Sequence, residues 1–130
     1  MPPGDPARLA AERRGRRAEW LSRLALRLRG WRIVDTNWRS PRGSRAGEID
    51  IVAARRKMLV FVEVKARESE TAAAAAVSPA QQRRIARGAE AYLAAHPEYA
   101  DQDLRFDVVL VRPWHWPRWI TDAWRPSERP

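Results

Sequence analysis

Apolar and polar positions recur along this chain with two periods. Ala18, Leu21, Ala25 and Leu28, with Leu24 beside them, keep the three-to-four spacing of a helix with one buried stripe. Asp5 before Pro6 supplies an N-cap and a first-turn proline, and Gly30 a stop. A helix is therefore expected from Pro6 to about Arg29. Alternation then predicts strands over 31–39, 48–54 and 58–66. The last two are rich in Ile, Val or Phe, as in a sheet covered on both faces. Residues 40–46, with Pro41 and Gly43, read as a loop. Arg55, Arg56 and Lys57 make the turn between the second and third strands, without the Asn-Gly or Asp-Gly usual in tight hairpins. Residues 68–77 read as a mobile loop despite their run of alanines. Ser78 and Gln81 form a capping-box pattern that opens a second helix, running to about Ala95, with Ile85, Ala89, Tyr92 and Leu93 inward. A fourth strand follows over 103–112, and 119–124 adds a short edge strand.

This order predicts an α/β fold: a mixed central β-sheet flanked by helices. The helix between the third and fourth strands permits a right-handed crossover, which makes those two strands parallel. Residues 1–4 are expected to be disordered. Residues 5–130 form a single domain, with a Trp-rich segment over 113–130. No repeat is visible.

Three charged residues interrupt the apolar strands: Asp50, Glu63 and Lys65. Alternate side chains share a face, so Glu63 and Lys65 go together, as do Glu48 and Asp50. If the two strands pair as a hairpin, Asp50 approaches Glu63. Burying such charges is costly unless they are paired or hold a metal. Two converging carboxylates are hard oxygen ligands, suited to Mg²⁺ or Mn²⁺ rather than zinc. Lys65, one pleat repeat from Glu63, is placed to stabilise a phosphoryl transition state or orient a water. Glu19, at the border of the helix stripe, can complete the site.

Composition sharpens this picture. Lys and Arg number 25 against 16 Asp and Glu, a net charge of +9. That balance favours a polyanionic partner, most simply nucleic acid. Arg13, Arg16 and Arg17 in the first helix, with Arg42, Arg45 and Arg55, are the candidate phosphate contacts. The absence of cysteine excludes disulfides and thiolate metal sites, and two histidines, His96 and His115, argue against zinc. No apolar run approaches a membrane span and the N-terminus lacks a signal-peptide core, so no membrane role and a cytoplasmic location are expected. Only Lys57 and Lys65 are lysines, among 23 arginines. A lysine at position 65 therefore hints at a chemical need, because ammonium pKa values fall on burial and guanidinium stays charged.

Asp50 followed thirteen positions later by Glu63-Val64-Lys65, on adjacent strands after a helix, resembles the PD-(D/E)xK nuclease motif. The whole chain is similar to the YraN family, small bacterial proteins of restriction-endonuclease-like fold. The matching pieces are Gly15 with Glu19, Gly30, Asn37-Trp38-Arg39, Gly47-Glu48-Ile49-Asp50, Phe61-Val62-Glu63-Val64-Lys65 with Arg67, and Arg105-Phe106-Asp107-Val108-Val109. Within that superfamily the pattern is nearest to Holliday-junction resolvases, which also carry a glutamate on the first helix. The resemblance implies a metal-dependent endonuclease that hydrolyses phosphodiester bonds in DNA, branched DNA included, with a homodimer as the resolvase precedent. It implies metal roles for Glu19, Asp50, Glu63 and Val64 and catalytic roles for Asp50, Glu63, Lys65, Glu19 and Gln81. The alternative is a catalytically inactive nucleic-acid-binding module of the same fold.

Each site residue also has an ordinary reading. A Glu63–Lys65 ion pair with a lone Asp50 would suit an exposed strand face, but the apolar neighbours argue for burial. Glu19 can pair with Arg23 one helical turn on. Gln81 is explained by the capping box alone, Glu48 by an arginine partner, and Asp107 by Arg105. The C-terminal tryptophans suit packing better than base stacking.

Overall fold

A computed structural model describes residues 5–41, 47–67 and 77–126. The segments 1–4 and 68–76, Arg42 and Arg45 with the rest of 42–46, and 127–130 lie outside the described residues. The elements are α1 (Pro6–Leu28), β1 (Arg32–Trp38), β2 (Ile49–Arg55), β3 (Met58–Ala66), α2 (Pro79–Ala95), β4 (Asp103–Val111) and β5 (Arg118–Ile120), with a 3₁₀ turn over Pro97–Tyr99.

Local chemistry explains the helix boundaries. The Asp5 carboxylate accepts from the Ala7 amide, and Pro6 occupies the first turn. Gly30, at φ +88°, leaves α1 in the left-handed conformation that glycine adopts without strain. In α2 both halves of the capping box form: Ser78 accepts from the Gln81 amide, and the Gln81 side chain accepts from the Ser78 amide. The Arg56-Lys57 turn closes with Arg56 at φ 56°, taking the conformation that a glycine would supply.

The sheet order is β1-β2-β3-β4-β5, the same as the chain order. All neighbours are antiparallel except β3 and β4, which are parallel from Met58 opposite Asp103 to Ala66 opposite Val111. The crossover between them carries α2, as expected. β1 shifts register between Ile33 and Asp35. β5 is shorter than the expected edge strand. The chain turns out of the sheet at Asp122, φ 53°, and Trp124 folds back to stack on Phe106 at 4.3 Å between ring centres.

The sheet is buried on both faces. On one side Ile51, Ala53, Val60, Val62 and Val109 pack with Ala18 and Leu26 of α1. On the other, Val52, Leu59, Phe61 and Val108 pack with Ile85, Ala89 and Tyr92 of α2. The buried stripe of α1 differs from the expected one: Ala18 and Ala25 lie inward with Ser22 and Leu26, whereas Leu28 is 69% exposed. The inward face is rotated by most of a residue, and Ser22 tolerates it because its hydroxyl donates to the Ala18 carbonyl at 2.7 Å.

α2 is held close to the sheet by two glycines. The Gly47 amide donates to the Arg84 carbonyl at 3.0 Å. A Cβ on Gly88 would stand 2.7 Å from the Gly47 carbonyl oxygen, so this approach of two backbones requires glycine. The contact fixes the start of β2, and with it Asp50, against the first turns of α2.

At the far edge, Asp107 is fully buried and fully partnered. Arg105 donates to both of its oxygens at 2.9 Å, the Trp119 indole donates at 2.7 Å, and the Asp122 amide at 2.9 Å. The expected Arg105 pairing is therefore present, within a larger network that pins β5 and the following turn to β4.

Candidate active site

The β2–β3 register pairs Ile51 with Val62. One step further it sets Asp50 opposite Glu63. There the Asp50 side chain, in place of a backbone carbonyl, receives the Val64 amide at 2.9 Å. The strands thus end their pairing at the position where two carboxylates meet. Glu63 is close enough to bear on the ionisation of Asp50. The Asp50 pKa is pushed up from 3.8 to about 8, by burial first and then by Glu63, against the opposing pull of the Val64 amide and Lys65. Like charges this close cannot both ionise cheaply, so burial and the neighbouring Glu63 together favour the protonated form of Asp50.

Lys65 follows on the same strand face as Glu63 and is buried. Its ammonium donates to the Gln81 side-chain oxygen Oε1 at 3.4 Å, and the same oxygen accepts the Ser78 amide at 3.2 Å. Gln81 therefore serves both readings at once: the capping box fixes its side chain, and the fixed side chain faces Lys65. Glu48, Asp50, Glu63, Gln81, Arg84 and Ile85 line an open cleft of about 230 Å³.

Glu19 reaches this group from α1. Its pKa is raised, chiefly by burial; the negative charges of Asp50 and Glu48 add to the rise, while a hydrogen bond from Asn37 and the charge of Arg23 oppose it. Glu19 thus lies within the field of Asp50, and Arg23 acts on it through its charge without forming the i,i+4 ion pair of the ordinary reading. Among the described residues, however, no group of three His, Cys, Asp or Glu side chains converges as a ready metal cage. Asp50 and Glu63 form a contacting pair, and Glu19 stands behind it. Glu48 pairs with Arg39 at 3.5 Å on the rim.

The candidate phosphate contacts divide. Arg13, Arg16 and Arg17 are exposed on α1. Arg55 does not belong with the acids. It lies at the opposite end of β2 from Asp50, about 16 Å away along the strand. Its guanidinium donates to the Arg29 carbonyl at 2.8 Å and covers the Trp31 ring at 4.5 Å, which gives it a packing role. Arg42 and Arg45 lie outside the described residues.

Two neighbours were not singled out from sequence. Arg84 lines the cleft one helical turn beyond Gln81, a spacing that would have revealed it once α2 was placed. Asn37 lowers the Glu19 pKa, from a backbone at φ 51° that Asn tolerates better than most residues. The tryptophans also divide: Trp119 and Trp124 pack, whereas Trp116 is 57% exposed and Trp114 fully exposed.

No helix of the described residues is long and apolar enough to cross a membrane. The profile of "Uncharacterised protein family UPF0102" matches residues 18–111. A UPF0102 protein of Parvibaculum lavamentivorans is 53% identical over 124 residues, covering 95% of this chain and 90% of that protein. Another, of Paramagnetospirillum magneticum, is 50% identical over 123 residues, covering 95% of both. The match takes in α1 from Ala18, the acidic pair, Lys65, Gln81 and all of β4, and the chain therefore belongs to the UPF0102 family, that of the YraN proteins it resembles.

Proposed function

We propose that this protein is a metal-dependent endodeoxyribonuclease of PD-(D/E)xK type, built on a restriction-endonuclease-like fold. One observation carries the reading: Asp50 lies opposite Glu63 where β2 and β3 stop pairing, the two line one cleft with Gln81, and the Gln81 side chain accepts from Lys65. A buried acid pair that must keep a proton weakens the fold, and a cation is the natural replacement for that proton. The donors are hard oxygens, so the set fits Mg²⁺ or Mn²⁺, which Asp50, Glu63 and Val64 would hold. When bound, such an ion polarises a phosphoryl oxygen and lowers the pKa of water.

The chain's own groups do the rest. Gln81, on the cleft wall, accepts from the Lys65 ammonium, which would donate to a phosphate oxygen as negative charge develops. Arg84 on the cleft wall offsets phosphate charge. Glu19 adds negative potential behind Asp50 and favours a cation over a lone proton. DNA is the proposed substrate; the net charge of +9 supports a polyanion, and branched substrates enter through the likeness to resolvases.

The test is a cleavage assay on linear duplex, single-stranded and four-way-junction DNA, with Mg²⁺, Mn²⁺ or EDTA. Metal-dependent cutting that vanishes in Lys65→Ala, with DNA affinity retained, is the expected result. Parental cutting rates in both Lys65→Ala and Asp50→Asn would overturn the mechanism. The lack of a three-carboxylate cage among the described residues favours a second reading, a binding module without turnover. It predicts salt-dependent DNA affinity and no cutting in any metal.

A further inference from the structure

A second cleft, of about 390 Å³, opens between the first half of α1 and the C-terminal ends of β3 and β4. Its size falls in the range of small-ligand sites, roughly 300–1,000 Å³. Leu21 and Val111 contribute to an apolar floor. Arg14, Arg17, Arg67 and Arg112 line its walls, and among the described residues the lining includes no acidic one. Trp114 stands at its mouth, 101% exposed, on a backbone at φ 63°.

That last combination is the informative one. A bulky side chain in the left-handed region is strained, and strain of this kind collects at functional sites. The usual compensation would be burial of the indole, yet this ring packs on nothing. Its turn is nonetheless defined: the His115 amide donates to the Arg112 carbonyl at 3.3 Å, and His115 Nδ1 lies 2.8 Å from the Pro113 carbonyl oxygen. The loop therefore presents a flat aromatic face beside an apolar floor ringed by guanidinium groups. A duplex backbone needs the cations but has no use for the floor or the ring. An unpaired nucleotide uses all three, its base on the indole and its phosphates among the arginines.

We infer that this cleft binds single-stranded nucleic acid, stacking an unpaired base on Trp114 while Arg14 and Arg17 take the adjoining phosphates. The inference rests on the nucleic-acid reading above and extends it. Ala66 ends β3 directly after Lys65 and Arg67 follows it, so a strand leaving the acidic cleft around that edge of the sheet would meet this second one.

The test is made in EDTA, so that no cleavage is required. Fluorescence anisotropy of a labelled 15-nucleotide oligo(dT) is compared with that of a blunt duplex, for the parent, Trp114→Ala, Trp114→Phe and Arg14→Ala/Arg17→Ala. Trp114→Ala should lose about 5- to 100-fold in single-strand affinity, the worth of one base–aromatic stack, and lose less on the duplex. Trp114→Phe should recover most of the loss. The double arginine variant should flatten the single-strand log–log salt slope by about 1.4, roughly 0.7 per lost phosphate contact. Equal oligo(dT) affinity for parent and Trp114→Ala overturns the inference. So does oligo(dT) binding that a poly-glutamate peptide displaces at equal charge concentration, since the cleft would then be an acidic-peptide site. Trp114-dependent binding without cutting in any metal upholds the cleft and refutes the nuclease. Because Trp114 is fully exposed, its variants should keep the parental urea midpoint, and that is checked first.

Discussion

The proton on Asp50 makes the electrostatics of the acidic pair measurable without knowing a substrate. Folded, the carboxyl titrates near 8, against 3.8 ordinarily. Between those values the folded chain holds a proton that the unfolded chain releases. Stability must then fall as pH rises, by about 1.4 kcal/mol per pH unit for one such group. The contribution is fully present below about pH 3.8 and is lost as pH passes through about 8. From pH 5 to 7 the loss is about 2.7 kcal/mol. Glu19 is shifted in the same direction, so the total pH dependence does not isolate Asp50. Asp50→Asn does, because its amide keeps the shape and cannot titrate. Urea unfolding of parent and variant, followed by tryptophan fluorescence at half-unit pH steps, gives the difference. It should move in favour of the variant by about 1.4 kcal/mol per unit between pH 5 and 7 and level off above about 8. A difference constant to about 0.5 kcal/mol, or one that moves toward the parent, would show that Asp50 does not hold this proton.

Three further outcomes follow from the same structure. At pH 8, Mg²⁺ at ten times its dissociation constant should stabilise the parent by about 1.4 kcal/mol, with EDTA reversing the gain and Asp50→Asn losing it, all read from urea midpoints. Asp107→Ala should cost about 3–5 kcal/mol by equilibrium unfolding, because the Arg105 guanidinium and two further donors lose a buried acceptor. Gly88→Ala should cost about 1–3 kcal/mol by thermal unfolding, since its methyl would meet the Gly47 carbonyl at 2.7 Å; a neutral effect would mean that α2 shifts freely.

The chain shows its local chemistry openly. Asp5-Pro6 and Ser78 with Gln81 mark helix starts because caps are made between residues two or three apart. The bounds of β3 follow from an apolar run buried on both faces, and its parallel partner from the crossover helix. What sequence could not supply is phase and distance. Leu21, Leu24, Leu26 and Leu28 all suit a buried stripe of α1, and only the height at which the helix meets the sheet turns Leu26 in and Leu28 out. Arg55 is only five residues from Asp50, but a strand converts five residues into most of its length. Asn37 and Arg84 join the site through approaches of distant segments, which no local pattern encodes.

The Asp107 network has a bearing on how the chain is made. Sheet order equals chain order, so during synthesis each strand emerges to find its partner already present. The exception to easy closure is β4, which carries a carboxylate into the interior before all its donors exist. Arg105 arrives with it, but the Trp119 indole and the Asp122 amide come twelve and fifteen residues later. Until they emerge, docking β4 buries a charge with half its hydrogen bonds missing, a cost of several kcal/mol. β3, which carries Glu63 of the acidic pair, is therefore locked on its β4 side only once Trp119 and Asp122 have left the ribosome. The segment from Trp119 to Asp122 is thus a latch of folding, and a nascent chain stalled before Trp119 would remain open to degradation.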